Sequence, residues 1–182
     1  MKVKLKKVRL SFPDLWTATE FKIGDGKPRF NATFLIEPGS DNDKAIRDAI
    51  REAAKETFGA KWEAILKSLE GNSNKFAYLD GNLKDYDGYE GMMYLACHTK
   101  TKPYICDRDP NVVLAADSGK PYAGCYVNAT VDIYAQKGEN QGVRASFSGV
   151  QFAADGDAFS AGRPATADDF DTVEDGAGGD ML

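Results

Sequence analysis

Tyr126, Asn128, Thr130, Asp132 and Tyr134 occupy alternate positions of one run, and Cys125, Val127, Ala129, Val131 and Ile133 fill the places between them. A second run sets Val143, Ala145, Phe147 and Gly149 against Arg144, Ser146, Ser148 and Val150. Strict period-two alternation on both sides of a polar, Gly-containing turn predicts an antiparallel hairpin over residues 125–152, with one face in the core. A solvated sheet face is ordinarily charged and mixed. This one offers tyrosines, small hydrogen-bonding side chains and an arginine, a surface on which flat, unpaired bases can lie.

The elements that must position this hairpin follow in chain order. In residues 1–12, Lys2, Lys4 and Lys6 alternate with Val3 and Leu5. The phase then slips, and Lys7, Arg9 and Ser11 alternate with Val8, Leu10 and Phe12. A skipped step at Lys6-Lys7 predicts a β-bulge in a first strand with five cations on its outer side. Such lysines ordinarily protect an edge strand from aggregation; here they would also make a rail along phosphates. Residues 11–28 read as a loop with Phe12, Trp16 and Phe21, and residues 29–36 as a second strand with Phe30, Ala32, Phe34 and Ile36 inside.

A helical insert comes next. Ser40 is placed to cap a helix, with Asp43 three residues on, and Ile46, Ala49, Ile50, Ala53 and Phe58 recur at helical spacing up to Gly59. A second helix over residues 60–70 aligns Trp62, Ile65, Leu66 and Leu69; both stripes are core-facing. Residues 72–91 form a long loop whose Phe76, Tyr78, Tyr86 and Tyr89 either anchor it or are presented by it. Residues 92–100 alternate again, and Lys100, Lys102 and Tyr104 follow as a basic, aromatic segment. After Phe152 the chain turns through Asp155-Gly156-Asp157 into a Gly/Ala/Asp tail with almost no apolar content, which is expected to be disordered.

The 182 residues carry a net charge of -5, which alone would argue against a polyanionic partner. Six acids follow the last basic residue, Arg163, so the body without them is net +1. Cys97, Cys106 and Cys125 have no CxxC spacing, which excludes a zinc ribbon and a disulfide framework and suits a reducing, cytoplasmic setting. No apolar run approaches a membrane span. His98 sits next to Cys97, so on a strand the two point to opposite faces and form no nucleophile–base pair. Asp80, Asn82, Asp85 and Asp87 fail the EF-hand pattern, and no Gly-rich phosphate loop is present. These observations predict neither enzyme, metal site nor cofactor.

The stretches KVKLKKVRLSFPDLW, KPRFNATFLI, KPYAGCYVNATVDIYAQ and GVRASFSGVQFAADGDAFS, the last followed by DDF, together resemble the bacteriophage single-stranded DNA-binding protein family. The resemblance reaches about Phe170 and is strongest from Gly124 to Val127. It implies a mainly β, OB-fold type five-stranded antiparallel barrel over residues 1–160, with the helical insert after the second strand. A disordered acidic tail would fill residues 161–182. It also implies a protein that holds single strands in phage replication, recombination or repair within the bacterial host cytoplasm. Several such proteins end in an aromatic residue, whereas this chain ends Asp180-Met181-Leu182, so a tail-tip aromatic contact does not carry over.

The expected site then combines Lys4, Lys6, Lys7, Arg9, Lys100, Lys102 and Arg144 against the phosphates with Tyr94, Tyr104, Tyr126 and Tyr134 against the bases. Asn128 lies among them. Each tyrosine has sheet packing as its ordinary alternative, Tyr94 most of all. Asp132 on the same face would repel phosphate unless paired. Asp168, Asp169, Phe170, Asp171, Glu174 and Asp175 would recruit replication or recombination proteins, or occupy the basic surface when DNA is absent. A solubility appendage is the plainer reading of that tail. A homodimer is left open. The alternative function is a β-barrel protein-interaction module, such as a virion or assembly factor, that binds no nucleic acid.

Overall fold

The computed structural model describes residues 1–20, 26–159 and 167–173. Strands β1 (Lys2–Thr19), β2 (Arg29–Ile36), β3 (Tyr78–Asp80), β4 (Met93–Thr99), β5 (Tyr104–Cys106), β6 (Tyr126–Gln136) and β7 (Gly142–Ala154) form one sheet in the order β3-β4-β2-β1-β6-β7-β5. The count is seven, not the five expected. β3 and β5 are three-residue strands, too short to show an alternation, and β5 runs parallel to β7. The sheet is open, but the stretch before β3 reaches its far side. Val143 donates to the Lys75 carbonyl at 2.8 Å, and Ala77 donates to the Val143 carbonyl at 2.9 Å.

The helical insert consists of α1 (Asp41–Phe58) and α2 (Trp62–Leu69), packed against each other, with α1 lying on β6 and β1. Ser40 caps α1 by accepting from the Asp43 N–H at 3.2 Å. The reciprocal half of the capping box is absent. Asp43 instead turns inward, 5% exposed, to accept from Arg47, the Gly39 N–H and the Tyr78 hydroxyl. Burial pushes its carboxyl upward, but these donors outweigh that and hold it below the ordinary carboxylate range.

Two of the sheet's register shifts bear on its outer face. The expected one occurs at Lys6-Lys7: the β1–β6 register shifts between Leu5 and Val8, and Lys7 takes φ 50°. The other is in β7, where the register breaks between Thr130 and Val131 of β6. Gly149 therefore turns outward and Val150 inward, reversing the assignment made from the alternation. One extra residue flips every later side chain to the other face. β1 also runs through the supposed loop to Thr19, with Ser11 buried and Phe12 46% exposed at φ 45°.

Candidate nucleic-acid interface

The outer face across β1, β6, β7 and β5 has a clear transverse row. Lys4 pairs with Thr130, Thr130 with Gly149, and Gly149 with Tyr104. Thr130 and Gly149 are small, so the row forms a low floor between a lysine and a tyrosine. Lys2, Lys4, Lys6 and Lys7 are all exposed along β1. The bulge brings Lys6 and Lys7 onto this side together, and it is braced. Asn42 of α1 exchanges two hydrogen bonds with the Lys6 backbone, at 3.0 and 2.9 Å, while the Asn128 side chain accepts from the Lys7 N–H at 2.8 Å.

At the other side of the floor, Tyr104 is 51% exposed, and its hydroxyl donates to the Pro110 carbonyl at 2.6 Å, fixing the ring. Lys100 and Lys102, both exposed, precede it. Tyr134 is 39% exposed near the hairpin end. Asp132, which stood as a source of repulsion, pairs with the Met1 amine at 2.8 Å.

Other expected members have structural employment. Asn128 spends its carbonyl on the bulge and its amide on Gln151 at 3.0 Å. Arg9 donates to the Gly124 and Asp157 carbonyls at 2.9 and 2.6 Å, with its guanidinium 4.3 Å from the Phe159 ring centre and 5.9 Å from that of Tyr126. Tyr126 is half-buried in that stack. Arg144 is fixed to Gln136 and to the carbonyls of Asn74 and Asn140 at 3.0–3.2 Å, locking the β6–β7 turn to the stretch before β3. Tyr94 is 6% exposed because residues 85–91 fold over it, with Tyr89 5.4 Å away. No base can reach it.

Asp168, Asp169, Phe170 and Asp171 are exposed around a short turn at Ala167–Asp169, with Phe170 72% exposed. Glu174 and Asp175 lie outside the described residues. Among the described residues no group of three or more His, Cys, Asp or Glu could hold a metal ion. The three thiols are buried, and burial raises each of them.

His98 has a structural place on β4. Its Nδ1 lies 2.6 Å from Asn31 Oδ1, and burial, reinforced by Arg29 and Arg144, lowers it from 6.5 to about 4. The unfolded chain therefore takes up a proton that the folded chain refuses. Stability contributed by the neutral ring is present above 6.5 and is lost as pH falls toward about 4. Urea unfolding is expected to show a loss on the order of 2–3 kcal/mol across that window, and His98→Gln should flatten it.

The comparisons decide the family. The model of the family described as Enterobacter phage Enc34, ssDNA-binding protein, matches residues 1–182. The chain belongs to that family. The Enc34 family is one of binders, not catalysts. A relative in Acyrthosiphon pisum secondary endosymbiont phage 1, putative protein p50, is 43% identical over 178 residues, covering 95% of this chain and 94% of that one. Among solved structures, the bacteriophage Enc34 single-stranded DNA-binding protein in complex with ssDNA is 22% identical with TM-score 0.67, covering 87% of this chain and 89% of that chain. The single-stranded DNA-binding protein gp2.5 of bacteriophage T7 is 10% identical with TM-score 0.52, covering 94% and 98%. At these identities the Enc34 and T7 structures share the fold. No helix of the described residues is long and apolar enough to cross a membrane.

Proposed function

We propose that this chain holds single-stranded DNA through contacts tolerant of sequence, protecting and organising single strands in phage replication, recombination or repair. The observation that carries this reading is the row Lys4–Thr130–Gly149–Tyr104, with Lys2, Lys6 and Lys7 on one flank and Lys100 and Lys102 on the other. Cations flanking a low floor can follow a phosphate backbone, and a fixed tyrosine gives a base a face to stack on for ~1–3 kcal/mol. Duplex DNA hides its base faces, so preference for single strands needs no further device. The strand order β4-β2-β1-β6-β7, with its hydrogen-bonded link through Val143, supports an OB-type core to which β3 and β5 are additions.

Fluorescent oligo-dT and the matching duplex, titrated across a salt series, test the reading. The single strand is expected to bind more tightly, with log K falling by ~0.7 per phosphate neutralised for each decade of salt. Equal affinity for the two forms would sink the proposal.

The acids beyond Arg163 support a second part of it: residues 161–182 act as a tail that competes with DNA for the lysines and yields to protein partners when displaced. Truncation after Pro164 should tighten binding at low ionic strength and change little at high salt, where screening weakens the competition. Indistinguishable affinities of the full and shortened chains at low salt would count against a competing tail.

A further inference from the structure

A cleft of about 570 Å³ opens beside the outer face, at the far end of β1. Phe12, Trp16, Tyr86, Tyr122 and Phe159 line it, and Asp85 stands on its wall. Such a concentration of rings in an open concavity is unlike the lysine side of the sheet. Phe12 is 46% exposed and Tyr86 49%, their rings 4.9 Å apart and nearly edge-to-face. Phe159 forms a buried wall, with the Arg9 guanidinium 4.3 Å from its ring centre. Tyr122 is held by its hydroxyl, which donates to Asp155 at 2.7 Å.

Phe12 is the telling member. Its φ of 45° is rare for a bulky residue, which glycine would replace without strain. A backbone held this way, where the β1–β2 register breaks between Ser11 and Asp14, aims the ring into the cleft. Strain of this kind clusters at binding sites.

The electrostatics define what can enter. Lys120 on the wall is engaged by Asp107 at 2.9 Å, and Asp14 accepts from Asn31 at 3.1 Å. Asp85 adds an exposed carboxylate. Aromatic faces beside carboxylates repel a phosphate and favour a flat, uncharged ring with hydrogen-bond donors at its edge.

We propose that this cleft takes one unstacked nucleobase of the bound strand, preferring a base with an exocyclic amino group, with Asp85 as the acceptor. The proposal rests on the single-strand reading and adds a compositional bias to it. Cytosine presents an amino group to a carboxylate. Thymine presents only an N3–H set between two carbonyl oxygens, which the carboxylate repels. The start of β6 connects the two regions: Tyr126 pairs with Arg9 and is followed outward by Asn128 and Thr130, so one strand could span floor and cleft.

The test uses the full chain with Trp62→Phe, leaving Trp16 as the reporter, and follows fluorescein-labelled oligo-dC and oligo-dT by anisotropy and Trp16 emission together. Binding should quench Trp16, and oligo-dC should bind about five- to tenfold more tightly than oligo-dT at equal salt. Asp85→Asn should bring the two affinities together. Phe12→Gly, which relieves the strain while removing the ring, should weaken both about tenfold with the fold intact by circular dichroism. An anisotropy change with Trp16 unquenched, or equal affinities for dC and dT in the parent, overturns the cleft proposal alone. No anisotropy change with either oligonucleotide overturns it together with the single-strand reading.

Discussion

Reversing Lys4, Lys6 and Lys7 to Glu should lower single-strand affinity on the order of 10²–10³-fold at low ionic strength. The salt slope should shrink by about 2, three phosphate contacts at ~0.7 each. The magnitude follows from position. All three side chains are exposed on one flank of the floor, and the bulge places Lys6 and Lys7 side by side where a regular strand would turn one of them inward. The neighbouring carboxylate that could blunt their field, Asp132, is matched by the Met1 amine. At about 1–1.4 kcal/mol per reversal, three reversals sum to roughly 3–4 kcal/mol, which is that fold-change. Stability should hardly change, because exposed lysines make little net contribution to folding and the bulge is held by Asn42 and Asn128 through the backbone. Lys67→Glu, on the exposed side of α2, keeps the net charge change of one reversal away from the sheet and should leave the slope as it is. Equal losses from Lys67→Glu and from a single β1 reversal would show that net charge alone steers the DNA, and would remove the rail from the mechanism.

Much of this surface could be read from alternation, and what could not has a common cause. The hairpin, the Lys6-Lys7 bulge, the inner face of β2 and the Ser40 cap are local patterns, and each is found where the spacing puts it. Alternation tells which way a side chain points, but it does not say what it meets there. Arg9, Asn128 and Arg144 do point outward, yet each is taken up by backbone or amide groups from distant segments: Gly124 and Asp157, Lys7 and Gln151, Asn74. Tyr94 is outward by phase and still buried, because residues 85–91 cover that part of the sheet. Phe12 fails for the opposite reason. Its neighbours predict an inward ring, and one residue at positive φ reverses it. The Gly149 reversal is of the same kind, and it is what opens the floor between Thr130 and Tyr104.

Gly124→Ala, in the turn just before β6, should be strongly destabilising, costing about 3 kcal/mol or more and visible as a large fall in the urea midpoint. The residue has φ 101°, a conformation open to glycine and strained for alanine by about 1–3 kcal/mol. A Cβ there would also stand 2.2 Å from the Asp157 carbonyl oxygen and 2.9 Å from the Ala158 Cα and the Phe159 nitrogen. All three are backbone atoms, so no rotamer change relieves the clash, and overpacking adds a further ~1–3 kcal/mol. Gly119→Ala separates the two costs. Its φ is 77° and nothing lies within 4 Å of the new methyl, so it should cost only the strain, nearer 1 kcal/mol. The difference between the variants is therefore the price of the contact with residues 157–159. That contact matters for binding as well as folding. The Gly124 carbonyl accepts from Arg9, its N–H donates to Leu10, and Arg9 stacks on Phe159 at the wall of the aromatic cleft. Gly124→Ala should thus disturb base binding at the cleft, while Gly119→Ala leaves the Arg9–Phe159 stack in place. Equal destabilisation by the two substitutions would mean that residues 157–159 yield freely, and that the close approach at Gly124 does not hold the cleft's Phe159 wall.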